Sequence, residues 1–152
     1  MPTLAVCFLK KLAARLGLRL TVTTSSCAQA AALHAAIIEP GCTGGLAQLS
    51  NTASYEHITM PVHYAQDAEW SFIFNVMSHY DLPDLAAALA SAGVPQLVLG
   101  ATDSLGAALP QPNVSAVFEF AAETARQAKA ALRLVGGTGA PAQAVLDFLR
   151  GL

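Results

Sequence analysis

The chain has 152 residues, 54% of them hydrophobic and only 12% charged, with a formal net charge of −2. That length makes one ordinary domain with a sizeable core, and no apolar run reaches the roughly 20 residues needed to span a bilayer. Lys10, Lys11, Arg15 and Arg19 stand near the start and Arg126, Lys129, Arg133 and Arg150 near the end, while residues 20–125 hold no lysine or arginine; nucleic-acid binding, which needs clustered positive charge to displace counterions, is not expected.

Leu4 to Leu16 reads as an amphipathic helix, with Leu4, Phe8, Leu9, Leu12 and Leu16 on one face, Lys10, Lys11 and Arg15 mostly elsewhere, and Gly17 as its stop. "LRLTVT", residues 18–23, is rich in β-branched residues and reads as a strand. A helix from about Cys27 to Glu39 follows, broken by "EPGCTGG", and "GLAQL", residues 45–49, is a weaker strand. Residues 50–80 have no clean period. This excursion holds Trp70 and three of the four histidines, with one or two short helices expected around residues 68–77, and long segments of this kind often cover or line binding sites. "DLPDLAAALASAG" reads as a helix capped near Asp81 or Leu82, with Pro83 in its first turn and Asp84 at the positive end of its dipole. "VPQLVLGA" is a buried strand, residues 114–130 a helix, "ALRLVGG" a strand, and Pro141 to Leu152 a last helix.

Such alternation predicts an α/β fold: a three-layer parallel sheet of about four strands with helices on both faces, in a single domain over residues 1–152. The scarcity of charge points to buried strands, large helix faces or a hidden partner surface, and a homo-oligomer is expected. Cys7, Cys27 and Cys42 are odd in number and lack metal-ligand spacing, and the charges of the first residues follow their apolar part; both features lead to the expectation of a cytoplasmic protein rather than a secreted or membrane one.

Four stretches carry a family likeness: "TVTTSSCAQAAALHAA", "NTASYEHI", "SHYDLPDLAAALA" with "VPQLVLGATDSLG", and the ending "VLDFLRGL". In this order they resemble the C-terminal half of an α/β-hydrolase, most similar to bacterial esterases related to acetyl xylan esterases and dienelactone hydrolases. The resemblance implies a shortened hydrolase-like scaffold, ester or lactone hydrolysis, a nucleophile at the turn after the first strand, and an acid after "QLVLGA". It places Ser26 at the nucleophile, with Thr24 and Ala28 as the small positions of the elbow, and Cys27 N–H in the oxyanion hole. A shift of one residue places Cys27 at the nucleophile, with bulky Gln29 at a small position. The elbow's usual glycines are absent. Asp103 matches the acid that orients the base.

The family's histidine position falls in "VGGTGAPA", which contains none. A serine needs a base to take its proton, so His57, His63 and His79 are the candidates; His34, inside the helix after the elbow, lies too far along it. Ser25 or Ser26 as a plain helix cap is the structural alternative.

The expected function is therefore hydrolysis of carboxylic ester or lactone bonds in small apolar acyl substrates, without a cofactor. Two alternatives stay open. A divalent cation held by His57, His63, His79, Asp67, Glu69, Asp81 and Asp84 could polarise the carbonyl, although no recognised metal motif is present. The chain could also be a non-catalytic, self-associating hydrolase fragment.

Overall fold

A computed structural model describes residues 2–25, 28–59, 75–138 and 141–152, with side chains for all of these except 2–4, 58, 59 and 141. Four strands form one sheet in sequence order: β1 (Leu20–Ser25), β2 (Thr43–Leu49), β3 (Gln96–Leu99) and β4 (Leu132–Val135), with every neighbouring pair parallel. This is the α/β arrangement that the alternation predicts.

Register explains how the sheet is covered. Thr24, Gln48, Val98 and Leu134 lie in one row across it, and Val22, Leu46, Gln96 and Leu132 form another row on the same face. Against this face pack the crossover helices α2 (Gln29–Ile38), α4 (Leu82–Ser91), α5 (Gln111–Val117) and α6 (Glu119–Ala128). The alternate residues Ala47, Leu97, Leu99 and Val135 face the other way, onto Phe148 and Val145 of α7 (Pro141–Arg150). Helices thus cover both faces, and successive connections on one side are what crossovers of a single hand produce.

α4 begins as its sequence predicts. Asp81 is the N-cap, and Asp84 accepts the Asp81 N–H at 2.8 Å, completing a capping box. The segment read as one helix over residues 114–130 is instead two. The break at Phe118 turns its ring into the core beside Val114 and Ala121, while α5 lies against β4 and α6 runs along α4. Residues 68–74, where short helices were expected, lie outside the described residues; within the excursion the structure shows α3 (Glu56–Thr59) and a 3-10 turn over Val76–Ser78.

α1 (Pro2–Arg15) corrects the amphipathic reading. Its expected core face is turned outward, with Phe8 67% and Leu16 66% exposed, whereas Lys10 is 0% exposed. The reason lies in α2. A helix ends with carbonyls that have no partner within it, and Lys10 Nζ donates to two of them, Ala35 O at 2.7 Å and Ala36 O at 3.2 Å. The cation also favours the negative end of the α2 dipole. Burial nevertheless lowers the Lys10 pKa, opposed by the nearby Cys7, Glu39 and Cys42. Gly17 does stop α1: at φ +71° it donates to Ala14 O, and Leu18 N–H reaches back to Ala13 O at 2.8 Å.

Candidate functional site

The carboxyl ends of parallel strands are where open α/β sheets carry their sites. At this edge β1 ends at Ser25 and α2 starts at Gln29. Ser26 and Cys27, the expected nucleophile and oxyanion residue, lie outside the described residues, as does His63. The N-cap of α2 is Ala28, which has no side chain to cap with.

The two limbs of this turn are tied to β2 by buried polar side chains. Gln29 Nε2 donates to Gln48 Oε1 at 2.9 Å, and Asn51 Nδ2 donates to Thr24 Oγ1 at 3.1 Å. All four residues are buried. Register places Gln48 beside Thr24 on the face that receives α2. Among the described residues Gln48 Nε2 and Asn51 Oδ1 have no further partner.

Past β2 the backbone turns sharply. Ser50 has φ +50°, a left-handed conformation uncommon for a residue with a Cβ. The chain then runs beside the exit of β3: Ser50 N–H donates to Leu99 O, Thr102 N–H to Asn51 O, and Ala53 N–H to Thr102 O, at 2.8–3.0 Å. Asp103 follows. Its Oδ1 accepts from the N–H groups of Leu105 and Ala107, both at 2.9 Å, and so shapes a tight turn. Its Oδ2 accepts no hydrogen bond among the described residues.

The histidines are dispersed. His57 is on α3, with its Nδ1 buried and without a partner among the described residues. His79 is exposed just after the 3-10 turn. Neither is hydrogen-bonded to Asp103. His34 is engaged elsewhere: its Nδ1 lies 2.5 Å from Ala30 O and its Nε2 2.7 Å from Tyr80 Oη. A carbonyl only accepts, so Nδ1 carries the hydrogen and Nε2 accepts from the tyrosine. This bond joins α2 to the segment entering α4.

Asp81 draws donors from three different residues. It accepts from Ser54 Oγ–H at Oδ2, and at Oδ1 from the N–H groups of Tyr55 at 2.6 Å and Leu82 at 2.5 Å. Asp81 and Asp84, considered as cation ligands from sequence, are thus both engaged in capping α4, and Asp81 also clamps the neck of the excursion. Burial, with Tyr80 and Asp81 nearby, pushes the Tyr55 phenol above its ordinary pKa. Among the described residues no group of three or more His, Cys, Asp and Glu side chains is close enough to hold a metal ion.

Two concavities matter. An open groove of about 920 Å³ lies on the flank of α5 and α6, beside Phe120, Glu123 and Arg126, away from the carboxyl edge. A smaller cavity of about 330 Å³ lies at that edge, lined by Ser50, Leu99, Gly100, Thr102, Gly106, Ala108, Gly137 and Thr138. Sequence reasoning places Thr138 where the histidine was sought, but it misses Ser50 and Thr102. Their only signal is the abrupt end of the apolar strands before them. No known protein family, curated protein or solved structure matches the chain.

Proposed function

We propose that the chain hydrolyses carboxylic ester or lactone bonds in small apolar acyl substrates. One observation supports this above the rest: the strands lie in the order β1, β2, β3, β4, all parallel, so the turn containing Ser26, the Asp103 loop and the Gly137–Thr138 loop all leave the same edge of the sheet. A hydrolase scaffold needs nucleophile, acid and substrate loops in that relation.

In this reading Ser26 Oγ attacks the carbonyl carbon while a histidine takes its proton. The alcohol then leaves with that proton, and water cleaves the acyl-serine. His57 is the favoured base, because its buried Nδ1 lacks a partner among the described residues and a buried polar atom left unpaired is costly. The free Oδ2 of Asp103 suits an orienting acid. The test is labelling by a fluorophosphonate probe, expected to be lost in Ser26→Ala and kept in Cys27→Ala, with ester turnover falling about 10²-fold or more in His57→Ala. No labelling together with no ester turnover refutes the proposal.

A second reading, a self-associating fragment without activity, is favoured by the outward apolar face of α1, where Phe8, Leu9, Leu12 and Leu16 are exposed. Sedimentation distinguishes it: an oligomer that Phe8→Glu with Leu12→Glu dissolves supports self-association, and a monomer at all concentrations sinks it.

A further inference from the structure

We infer that the cavity at the ends of β2, β3 and β4 is a binding site for a small uncharged ligand, and that it selects the neutral ester or lactone over its anionic hydrolysis product. The inference rests on the ester-hydrolase reading only for the bond that is cut.

The backbone makes the first argument. Eight described residues have left-handed φ, and four of them line this cavity: Ser50 at +50°, Gly100 at +63°, Gly106 at +81° and Gly137 at +74°. Such conformations persist where the surroundings enforce them and gather at ligand sites. Here turns rather than side chains form much of the wall. A Cβ added at Gly106 or Gly137 would meet nothing within 4 Å, so glycine is required there by the backbone and not by crowding.

Hydrogen bonding makes the second. The N–H groups of Ser50, Gly100, Thr102, Gly106 and Gly137 are all used, by the carbonyls of Leu99, Val135, Asn51, Asp103 and Leu109. The hydroxyls of Ser50, Thr102 and Thr138 make no hydrogen bond among the described residues. They are the donors left for a guest, and a carbonyl or ether oxygen is what such hydroxyls bind.

Charge makes the third. None of the described lining residues is ionisable. A carboxylate entering would find no counter-charge among these residues, whereas a neutral ester or lactone needs none. The volume, about 330 Å³, is at the small end for ligand sites. Hydrolysis joins a neutral ester and water to give an alcohol, a carboxylate and a proton, so the reaction converts a favoured guest into a disfavoured one and helps the product leave.

The probes are δ-valerolactone and its ring-opened product, 5-hydroxyvalerate, which differ by one water and one charge. They are titrated into the full chain carrying Ser26→Ala while backbone amide NMR shifts are followed. The lactone is expected to shift the Gly100, Thr102, Gly106 and Gly137 amides saturably, and the hydroxy acid to leave them in place. Thr102→Val, which keeps shape and removes a donor, is expected to weaken lactone binding about tenfold. Ala108→Leu, which fills the cavity, is expected to abolish it, with an unchanged pattern of remote amide signals showing that the fold is kept. Equal shifts from the hydroxy acid, no shift from the lactone, or shifts that survive Ala108→Leu overturn the inference. Lactone binding without turnover in the wild-type chain overturns the hydrolase reading alone.

Discussion

Replacing Asp81 with alanine is expected to cost about 4 kcal/mol of folding stability, far more than an ordinary lost helix cap. The cap itself contributes about 1 kcal/mol. Asp81 also accepts from Tyr55 N–H and Ser54 O–H, and both residues are buried. Removing the acceptor takes the carboxylate bond from each of these buried groups, at about 1–3 kcal/mol each. Asp81→Asn retains an oxygen for the Tyr55 and Leu82 N–H groups but loses the charge, and is expected to cost about half as much. Asp84→Ala removes only the bond from Asp81 N–H and is expected to cost under about 1 kcal/mol. Urea denaturation followed by far-ultraviolet circular dichroism measures all three. With a slope of about 2 kcal/mol/M, the alanine variant melts about 2 M earlier. If Asp81→Ala costs no more than Asp84→Ala, the carboxylate is a plain cap, and the clamp between residues 54–55 and 81 carries no weight.

Gly136→Ala is expected to destabilise by about 1–3 kcal/mol or more, because its Cβ would stand 2.4 Å from Gln111 N and 2.8 Å from Pro110 C, backbone atoms that cannot step aside; Gly41→Ala, where nothing lies within 4 Å, is the control and should stay within about 0.5 kcal/mol in the same denaturation assay. Lys10 gives a pH signature. Burial holds its folded pKa below the ordinary lysine value, so between the two pKa values the unfolded chain holds more protons, and Lys10's contribution makes stability rise with pH across that alkaline window. Lys10→Met is expected to flatten this rise, read as the difference between the two denaturation curves at each pH; an unchanged slope would show that the lysine is not desolvated.

Much of this fold was legible because each element's local chemistry agreed with its place. Asp81, Pro83 and Asp84 start a helix in any context, and "VPQLVLGA" has the continuous apolar run of a strand covered on both faces. The failures come where tertiary demand overrode pattern. The stripe of Phe8, Leu9, Leu12 and Leu16 is a sound amphipathic signal, yet α1 is placed by Lys10, whose partners are the carbonyls of a helix 25 residues on. No periodicity in α1 encodes that. The break at Phe118 is similar: residues 114–130 read as one helix, and the need to follow both β4 and α4 divides the segment. The site was less legible than the fold. Ser50 is a left-handed residue by virtue of where the chain must turn, and a single sequence does not state φ.

The placement of buried polar residues bears on where function resides. An apolar core could have been completed with leucine and valine, and buried polar groups are a liability unless fully paired. In this sheet Thr24, Gln29, Gln48, Asn51, Ser54, Thr102 and Ser104 are buried at or beyond the carboxyl ends of the first three strands, whereas among the described residues the opposite edge buries Thr43, Gln96 and, against the end of α2, Lys10. The asymmetry is not required by folding, since both ends of a parallel sheet face the same problem of ending strands beneath helices. At the carboxyl edge the polar groups tie Thr24 and Gln29, on either side of Ser26, to β2 and Asn51, and they leave Gln48 Nε2 and Asn51 Oδ1 without a partner among the described residues, as Gln96 Oε1 is left at the opposite edge. The amides beside Thr24 and Gln29 serve either packing alone or the orientation of the segment between those two residues. Replacing both partners at once, Gln29→Leu with Gln48→Leu, leaves no orphaned donor and so separates the two roles. If the amides serve only packing, the variant is as stable as the wild type or more so and its Ser26 labelling is unchanged. If they orient the turn, labelling slows while stability holds.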